Sequence, residues 1–332
     1  MSARLQRVLL TGGAGFIGSH AAEALLAGGT ELSIVDNFDT FYDPAVKRAN
    51  LAAVRARGSF TLHETDICDR DRLRAAFAAA KPQAVIHLAA RAGVRPSIAD
   101  PVGYERTNIA GTLYVLELCR EYGVERLVFG SSSSVYGATS RAPFSEEQTD
   151  LRPISPYAAT KLAGELLCYT YAHLYAMPIV CLRFFTVYGP RQRPDLAIRK
   201  FTALIEAGKP IPVYGDGLAG RDYTYVEDIV SGILAACQVP LTGEGAPFRV
   251  FNLGNSHPVT LLEMIALLER ATGKTAIREA LPPQPGDVPL TWADISKAER
   301  ELGYRPGTPI EEGLRKFVDW YRTPCRTTQP QG

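Results

Sequence analysis

The sequence predicts an α/β protein built on a doubly wound parallel sheet, with a smaller C-terminal lobe appended. Three observations carry that prediction. Short apolar runs alternate with helical stretches as far as Arg183, a glycine-rich turn joins the first run to the first helical stretch, and proline-rich segments break the alternation afterwards. At 332 residues the chain can bury a large core, in two domains or in one domain with a sizeable appendage.

The first unit sets the pattern. Arg7-Val8-Leu9-Leu10 is a short strand ending at Thr11-Gly12-Gly13-Ala14-Gly15-Phe16-Ile17-Gly18. A helical pattern runs from Ser19 through Leu26 and stops at Gly28-Gly29; a second strand, Glu31 to Val35, ends at Asp36-Asn37. Glycines let a backbone approach a pyrophosphate closely, and a helix N-terminus offers free N–H groups and the positive end of its dipole. Gly12, Gly15, Phe16, Ile17 and Gly18 are therefore candidate dinucleotide contacts. Asp36, with Asn37 beside it, can hold the adenosine ribose hydroxyls; its charge would repel a 2′-phosphate, which favours NAD over NADP. The prediction sharpens to a Rossmann-type sheet.

The alternation continues in order. Ser59 to His63 reads as a third strand, followed by Asp66-Ile67 and a helix from Arg70 to Ala80. Gln83 to Leu88 is apolar enough for a buried parallel strand, and it runs into Ala89-Ala90-Arg91. A helix from Thr107 to Tyr122 is closed by Gly123. Arg126 to Gly130 is the next strand, and Ser131-Ser132-Ser133-Ser134-Val135-Tyr136-Gly137 leaves its end. A long helix spans Tyr157 to Tyr175, with Pro156 at its first turn, and Pro178 to Arg183 is a further strand. Phe248 to Leu253 reads as a later return to the sheet. The expected division is a dinucleotide-binding domain over 1–183 with segments of about 222–255 returning to it, a substrate lobe mainly over 184–325, and a tail, 326–332, that looks disordered.

In open α/β sheets ligands lie beyond the carboxyl ends of the strands, where the glycine turn, Asp36, the serine run and Phe184-Phe185-Thr186 all fall. Tyr157 and Lys161 join them. Four residues apart on a helix, they share a face, and a cation near a phenol lowers a pKa that starts near about 10. A hydroxyl from the serine run would complete a proton-transfer site. A Tyr-x-x-x-Lys pair by itself is more often a half-buried Tyr and a solvated Lys, so the convergence is what gives this one weight.

Composition excludes several classes. Lys and Arg number 36 against 35 for Asp and Glu, a net charge of +1 with no basic stripe, which speaks against nucleic acid as a partner. Cys68, Cys119, Cys168, Cys181, Cys237 and Cys325 are scattered with no Cys-x-x-Cys and no clustered His, so no metal site is expected and a reducing compartment is. The expectation is a cytoplasmic protein: Met1 to Arg7 leaves no room for a signal peptide, and no apolar run approaches a membrane span. His87 and His20 read as packing or backbone partners; His63, His173 and His257 have no partner nameable from sequence.

The spacing Gly-x-x-Gly-x-x-Gly at Gly12, Gly15 and Gly18, with Tyr157-x-x-x-Lys161 and the serine run, resembles the extended short-chain dehydrogenase/reductase family, which includes nucleotide-sugar epimerases and dehydratases. The resemblance covers roughly residues 5 to 320. It implies that Asp66-Ile67 lies against the adenine of NAD, and that Leu88, Ala89, Ala90 and Arg91 run beside its phosphates and ribose, with Ser131 also at the cofactor. It implies a catalytic set of Ser132, Tyr157 and Lys161, in which Tyr157 takes a proton from a sugar hydroxyl, Lys161 depresses the Tyr157 pKa and holds the nicotinamide ribose, and Ser132 binds the reacting oxygen.

Ser133 and Ser134 discriminate within the family. Dehydratases carry Asp-Glu there and UDP-glucuronate decarboxylases a Glu, whereas neutral serines leave a 4-keto sugar to take its hydride back on the other face, which is 4-epimerization. Asn37 to Pro44 with Lys47-Arg48, Phe184 to Asp195 and Leu196 to Phe201 resemble UDP-glucuronate 4-epimerases. Thr186 stands where UDP-galactose 4-epimerases place Asn.

For a C6 carboxylate, Ser133, Ser134 and Thr186 can donate and Arg193 can supply charge; the other reading of Arg193 is a surface cation in a proline-rich loop. Arg191 and Arg199 are weaker candidates. Arg221 is implied at the diphosphate, with Val213 as a further substrate contact. Asp287 either accepts from the uridine ribose or holds a turn, and Gln284 stands where galactose-type enzymes carry Arg. The resemblance further implies tightly held, recycled NAD and a homodimer pairing the helices 107–122 and 157–175. A UDP-glucose/UDP-galactose 4-epimerase and a decarboxylase remain alternatives, as does a catalytically retired NAD-binding regulator, although such proteins typically lose the Tyr, the Lys or the hydroxyl.

Overall fold

A computed structural model describes residues 6–138, 141–241, 245–282 and 288–323. Its centre is a seven-stranded, all-parallel sheet. Six strands come from residues 7–184: β1 (Arg7–Thr11), β2 (Glu31–Asp36), β3 (Thr61–Glu64), β4 (Ala84–His87), β5 (Arg126–Ser132) and β6 (Ile179–Phe184). After β7 (Thr186–Tyr188), β8 (Ile211–Tyr214) and β9 (Gly220–Tyr225), the seventh, β10 (Phe248–Leu253), returns to the edge. The spatial order is β10-β6-β5-β4-β1-β2-β3. The order reverses between β1 and β4, the switch point at which such sheets open a crevice.

Helices cover both faces because buried parallel strands carry apolar side chains on both sides. In chain order they are α1 (Phe16–Ala27), α2 (Pro44–Arg55), α3 (Arg70–Ala80), α4 (Val94–Ala99), α5 (Pro101–Glu105), α6 (Thr112–Glu121), α7 (Pro156–Tyr175), α8 (Ala197–Glu206) and α9 (Val226–Gln238). One face buries Leu10, Ile34, Val128 and Leu182 in a core that continues into the later part of the chain; the other buries Leu9, Phe77, Phe129 and Cys181 against α3, α6 and α7.

The later chain adds two small sheets. β9 pairs in parallel with β7 and antiparallel with β11 (Pro258–Thr260), while β8 pairs with β12 (Arg278–Leu281). Around them lie α10 (Leu261–Thr272), α11 (Ser296–Leu302) and α12 (Ile310–Arg322). Asp222 ties this part together: its buried carboxylate accepts from the backbone N–H groups of Asn255, Ser256 and Ala293 at 2.7, 3.0 and 3.0 Å.

The helices α2, α4 and α5 are not expected from the sequence, and two expected helices differ in their starts. α1 starts at Phe16, not Ser19, because Gly15 is its N-cap and Phe16 to Gly18 are already helical. The helix expected from Thr107 to Tyr122 opens with a π-turn over Arg106–Gly111 before α6 begins. The wider turn presents Asn108 to the chain leaving β4: Arg91 N donates to Asn108 Oδ1 at 2.8 Å, and Asn108 Nδ2 donates to Arg91 O and Thr160 Oγ1 at 2.9 and 3.0 Å. The tail 326–332 lies outside the described residues.

Candidate functional site

A cleft of about 480 Å³ runs along the carboxyl ends of the sheet strands, the size of a small-molecule or cofactor site. At one end it is made of backbone. Gly12 has φ +74°, and a Cβ there would lie 2.7 Å from Ala89 N; a Cβ on Gly18 would lie 2.1 Å from Gly12 O. Only hydrogen fits at either position, so the turn packs directly on β4 and leaves the first N–H groups of α1 facing the cleft. Gly15, Phe16 and Ile17 line the same wall.

Asp36 lines it too, with both carboxylate oxygens already engaged: Oδ2 accepts from Ala14 N at 3.0 Å and Oδ1 from Phe38 N at 2.9 Å. Burial raises its pKa, opposed by Lys47 and by those two N–H groups. The residue therefore fixes the turn as well as facing a ligand. Asn37 Nδ2 donates to Asp66 Oδ2 at 3.1 Å, and Ile67 completes that end. Leu88, Ala89, Ala90 and Arg91 line the middle; Arg91 pairs with Asp100 and lies 3.7 Å from Asp39.

The other end is made of side chains. Ser131 and Ser132 end β5, and Ser133 and Ser134 begin a 3₁₀ turn over Ser133–Tyr136. Ser132 Oγ donates to Ser134 Oγ at 3.1 Å and accepts from Ser134 N at 3.2 Å. Tyr157 stands in the first turn of α7, started by Pro156 and capped by Ser155, whose Oγ accepts from Ala158 N at 3.1 Å. Thr186 and Arg193 close this end. Arg193 is not a surface cation. Its side chain is 17% exposed, its guanidinium lies over the Phe41 ring at 5.5 Å, and it grips Asp195 through Nε at 2.9 Å and Nη2 at 2.7 Å.

Tyr157 and Lys161 share a face, but they do not pair as the spacing suggests. Lys161 Nζ donates to Gly130 O at 2.7 Å and lies 5.2 Å from the Phe129 ring centre. Burial lowers its pKa to about 8, against Cys168, Glu165 and Cys181. Burial raises the Tyr157 phenol, and the groups that oppose it are Ser132 and Arg193 rather than Lys161. The ammonium hydrogen-bonds the strand carbonyl rather than the phenol.

Two expected substrate contacts among the described residues do not line this cleft. Val213 is buried in the core on β8 and does not line it. Arg221, on β9, donates to Gly220 O at 2.8 Å and is likewise absent from the lining; one residue, Asp222, separates it from Tyr223, the register partner of Thr186. Asp287 and Gln284 lie outside the described residues. Arg191 and Arg199 point elsewhere: Arg191 binds Glu23 and His20, and Arg199 Nη1 donates to Gln192 O at 2.5 Å.

His20 and His87 are structural, as read. His20 Nε2 meets Pro190 O at 2.8 Å, and His87 bridges Thr11 and Thr112 at 2.7 and 3.0 Å; burial pushes each imidazole down to about 3.

Residues the sequence reading assigned no role also line the cleft: Asp39, Phe41, Tyr42, Lys47, Thr107 and Leu196 among them. Lys47 is buried, donates to Asp39 O at 3.0 Å and lies 5.1 Å from the Tyr42 ring centre. The segment was noted for resemblance alone, and the buried Lys on the amphipathic α2 was the available signal. Among the described residues no cluster of His, Cys, Asp and Glu could hold a metal ion, and no helix is long and apolar enough to cross a membrane.

Comparison with known proteins agrees with this geometry. The family model described as GDP-mannose 4,6 dehydratase matches residues 9–317. UDP-glucuronate 4-epimerase 4 of Arabidopsis thaliana is 45% identical, covering 95% of this chain and 75% of that protein. The UDP-glucuronate 4-epimerase of Thermodesulfobacterium geofontis is 44% identical, covering 94% and 95%. Among solved structures, the UDP-glucuronic acid 4-epimerase of Bacillus cereus, in complex with UDP-glucuronic acid and NAD, superposes with a TM-score of 0.87 at 38% identity, covering 94% of this chain and 98% of that one.

Proposed function

The chain belongs to the family described as GDP-mannose 4,6 dehydratase, and from that premise we propose that it is an NAD-dependent 4-epimerase of a UDP-sugar, with UDP-glucuronate and UDP-galacturonate as the favoured pair. The observation that carries this reading is the chemistry of the sugar end. Among the described residues, the carboxylates lining the cleft are Asp36, Asp39 and Asp66, at or beyond the ends of β2 and β3. β5 stands three strands from β2, about 14 Å at strand spacing. Around Tyr157 the lining is Ser132, Ser133, Ser134, Thr186 and Arg193. Elimination of water or loss of carbon dioxide asks for a further carboxylate at that place, and around Tyr157 the lining supplies neutral hydroxyls and the cations Arg193 and Lys161.

The cleft fits NAD. Gly12 and Gly18 leave a cradle that a Cβ would fill, the start of α1 faces it, and Asp36 opposes a 2′-phosphate. Bound NAD supplies the acceptor and donor of hydride that oxidation and reduction at C4 require. Tyr157 would take the C4 hydroxyl proton and return it, Ser132 would hold that oxygen, and Lys161 would hold the nicotinamide ribose. Arg193, pre-oriented by Asp195, meets the C6 carboxylate with Ser133, Ser134 and Thr186 as donors. Because the cycle never exchanges its cofactor, NAD stays bound; denatured pure protein releasing none, with activity requiring stoichiometric added NAD, would refute this.

We further propose a cytoplasmic homodimer joined through 107–122 and 157–175. Supporting it, Leu166, Tyr169 and Leu174 on α7 are 60, 50 and 62% exposed, large apolar side chains left in water along that helix. A sedimentation mass of one chain would reject it.

Incubation with UDP-glucuronate and UDP-glucose separately, with products identified by NMR, tests the assignment. A C4-inverted uronate supports it, a pentose indicates decarboxylation, and UDP-galactose alone indicates the glucose-type epimerase.

A further inference from the structure

Behind the serine end of the cleft lies a buried ion pair that the proposed chemistry does not use. Glu165 and Arg183 have side chains 5% exposed each, with Arg183 Nη2 at 2.7 Å from Glu165 Oε2 and Nε at 3.0 Å from Oε1. Ser131 Oγ donates to the same Oε1. Taking two charges out of water costs several kcal/mol per ion before their attraction is counted, so such a pair is weak evidence for stability.

Its location points to another use. Tyr157, Lys161 and Glu165 recur every four residues along α7 and so share one face. Ser131 and Arg183 are register partners across β5 and β6, and Arg183 is in turn the partner of Asn252 on β10. The Arg183 guanidinium stacks on Tyr136 at 4.8 Å, and Tyr136 donates to Asn252 Oδ1 at 2.8 Å. One carboxylate thus holds the last turn of β5 to β6 directly below Ser132 and one helical turn from Lys161. It also takes the Ser131 hydrogen inward, so Ser131 offers the cleft only lone pairs.

Building on the epimerase reading, we propose that Glu165 is a positioning residue for the reaction: it locks Ser131 and Arg183 across the sheet, and through them sets the places of Ser132, Lys161 and the bound dinucleotide. It is also the carboxylate among the groups around Lys161. Those groups are Glu165 and Cys168 on α7, Cys181 on β6 and His87 on β4, with the Phe129 ring and Gly130 carbonyl on β5. Removing the Glu165 charge takes away a carboxylate that favours the Lys161 ammonium, which makes the ammonium easier to deprotonate.

The test compares wild type with Glu165→Gln, Glu165→Asp and Ser131→Ala as full-length proteins, checked for folding by circular dichroism. Expected for Glu165→Gln is a kcat on UDP-glucuronate lower by on the order of 10- to 100-fold with KM within a few-fold, as befits displaced catalytic groups. Its alkaline rate limb should move to lower pH by about one unit. Glu165→Asp should recover part of the rate. Release of bound NAD, which needs no sugar substrate, should quicken in Glu165→Gln.

Ser131→Ala keeps the ion pair and decides the matter if Glu165→Gln does not fold: a lowered kcat or faster NAD release at unchanged melting temperature supports the proposal. Folded Glu165→Gln, or failing that Ser131→Ala, with wild-type kcat, pH profile and NAD release would overturn it. A wild type inert on every UDP-sugar would condemn the epimerase reading instead, with NAD release still judging Glu165.

Discussion

The two ends of the cleft are built by different means. The dinucleotide end is backbone: a turn squeezed against β4, helix N–H groups, and Asp36 pinning Ala14 and Phe38. The sugar end is side chain: hydroxyls from β5 and its 3₁₀ turn, a phenol from α7, a hydroxyl from β7 and a guanidinium from the loop beyond it. A backbone site depends on where no side chain fits, and its tolerance is set by ångströms. A side-chain site depends on which functional groups converge, and its specificity can change without altering the fold. The two ends should therefore fail differently when broken.

The largest effect is expected at the sugar end. Tyr157→Phe removes the group that exchanges the proton and should cost about 10²- to 10⁴-fold in turnover, with circular dichroism and bound NAD unchanged. At the other end, Gly18→Ala places a methyl 2.1 Å from Gly12 O. Overpacking of that kind costs about 1–3 kcal/mol, and here it should appear as lost NAD and a lower melting temperature. An alanine variant that still purifies with a full complement of NAD would contradict the backbone account.

Arg193→Gln sharpens the comparison within the sugar end. Losing hydrogen bonds to a charged group costs about 1.5–3 kcal/mol, so the KM for UDP-glucuronate should rise roughly 10- to 100-fold while any turnover of UDP-glucose changes little. Equal losses on both sugars would show that Arg193 serves the phenol or the local structure, not the carboxylate. The smallest effect concerns pH. The Lys161 ammonium, depressed to about 8 by burial, is charged below that pH and neutral above it. If its charge is needed, kcat falls as pH rises through about 8. A rate level to pH 10 would remove Lys161's charge from the mechanism.

The same contrast explains what could be read from sequence. Gly12, Gly15 and Gly18 lie within one turn, so their spacing is itself the structure, and Asp36 follows at the end of the next strand. The sheet strands through β6 and the helices α1, α3, α6 and α7 are likewise legible, because a buried parallel sheet writes itself as apolar runs between amphipathic helices, whereas α2, α4 and α5 are not read from the sequence. Ser132, Tyr157 and Thr186 were found because each sits at a strand or helix end.

What failed was direction. Nothing in a four-residue spacing says that Lys161 will reach Gly130 O instead of the phenol, or that Val213 faces the core on β8. For Arg193 the sequence leaves cleft and solvent equally open, and the ring of Phe41, from a distant part of the chain, is what holds it in the cleft. The π-turn that presents Asn108 has no sequence signature of its own, since it inserts one residue into an otherwise helical pattern. Glu165 was invisible for the same reason: its partners come from two strands.

The central claim is that the sugar end lets C4 lose and regain its hydride and does nothing else. UDP-glucuronate carrying deuterium at C4, followed by NMR with the purified protein, tests it directly. The account predicts inverted C4 that keeps its deuterium and an intact C6 carboxylate. Deuterium washed out to water, or a pentose with release of carbon dioxide, would contradict it.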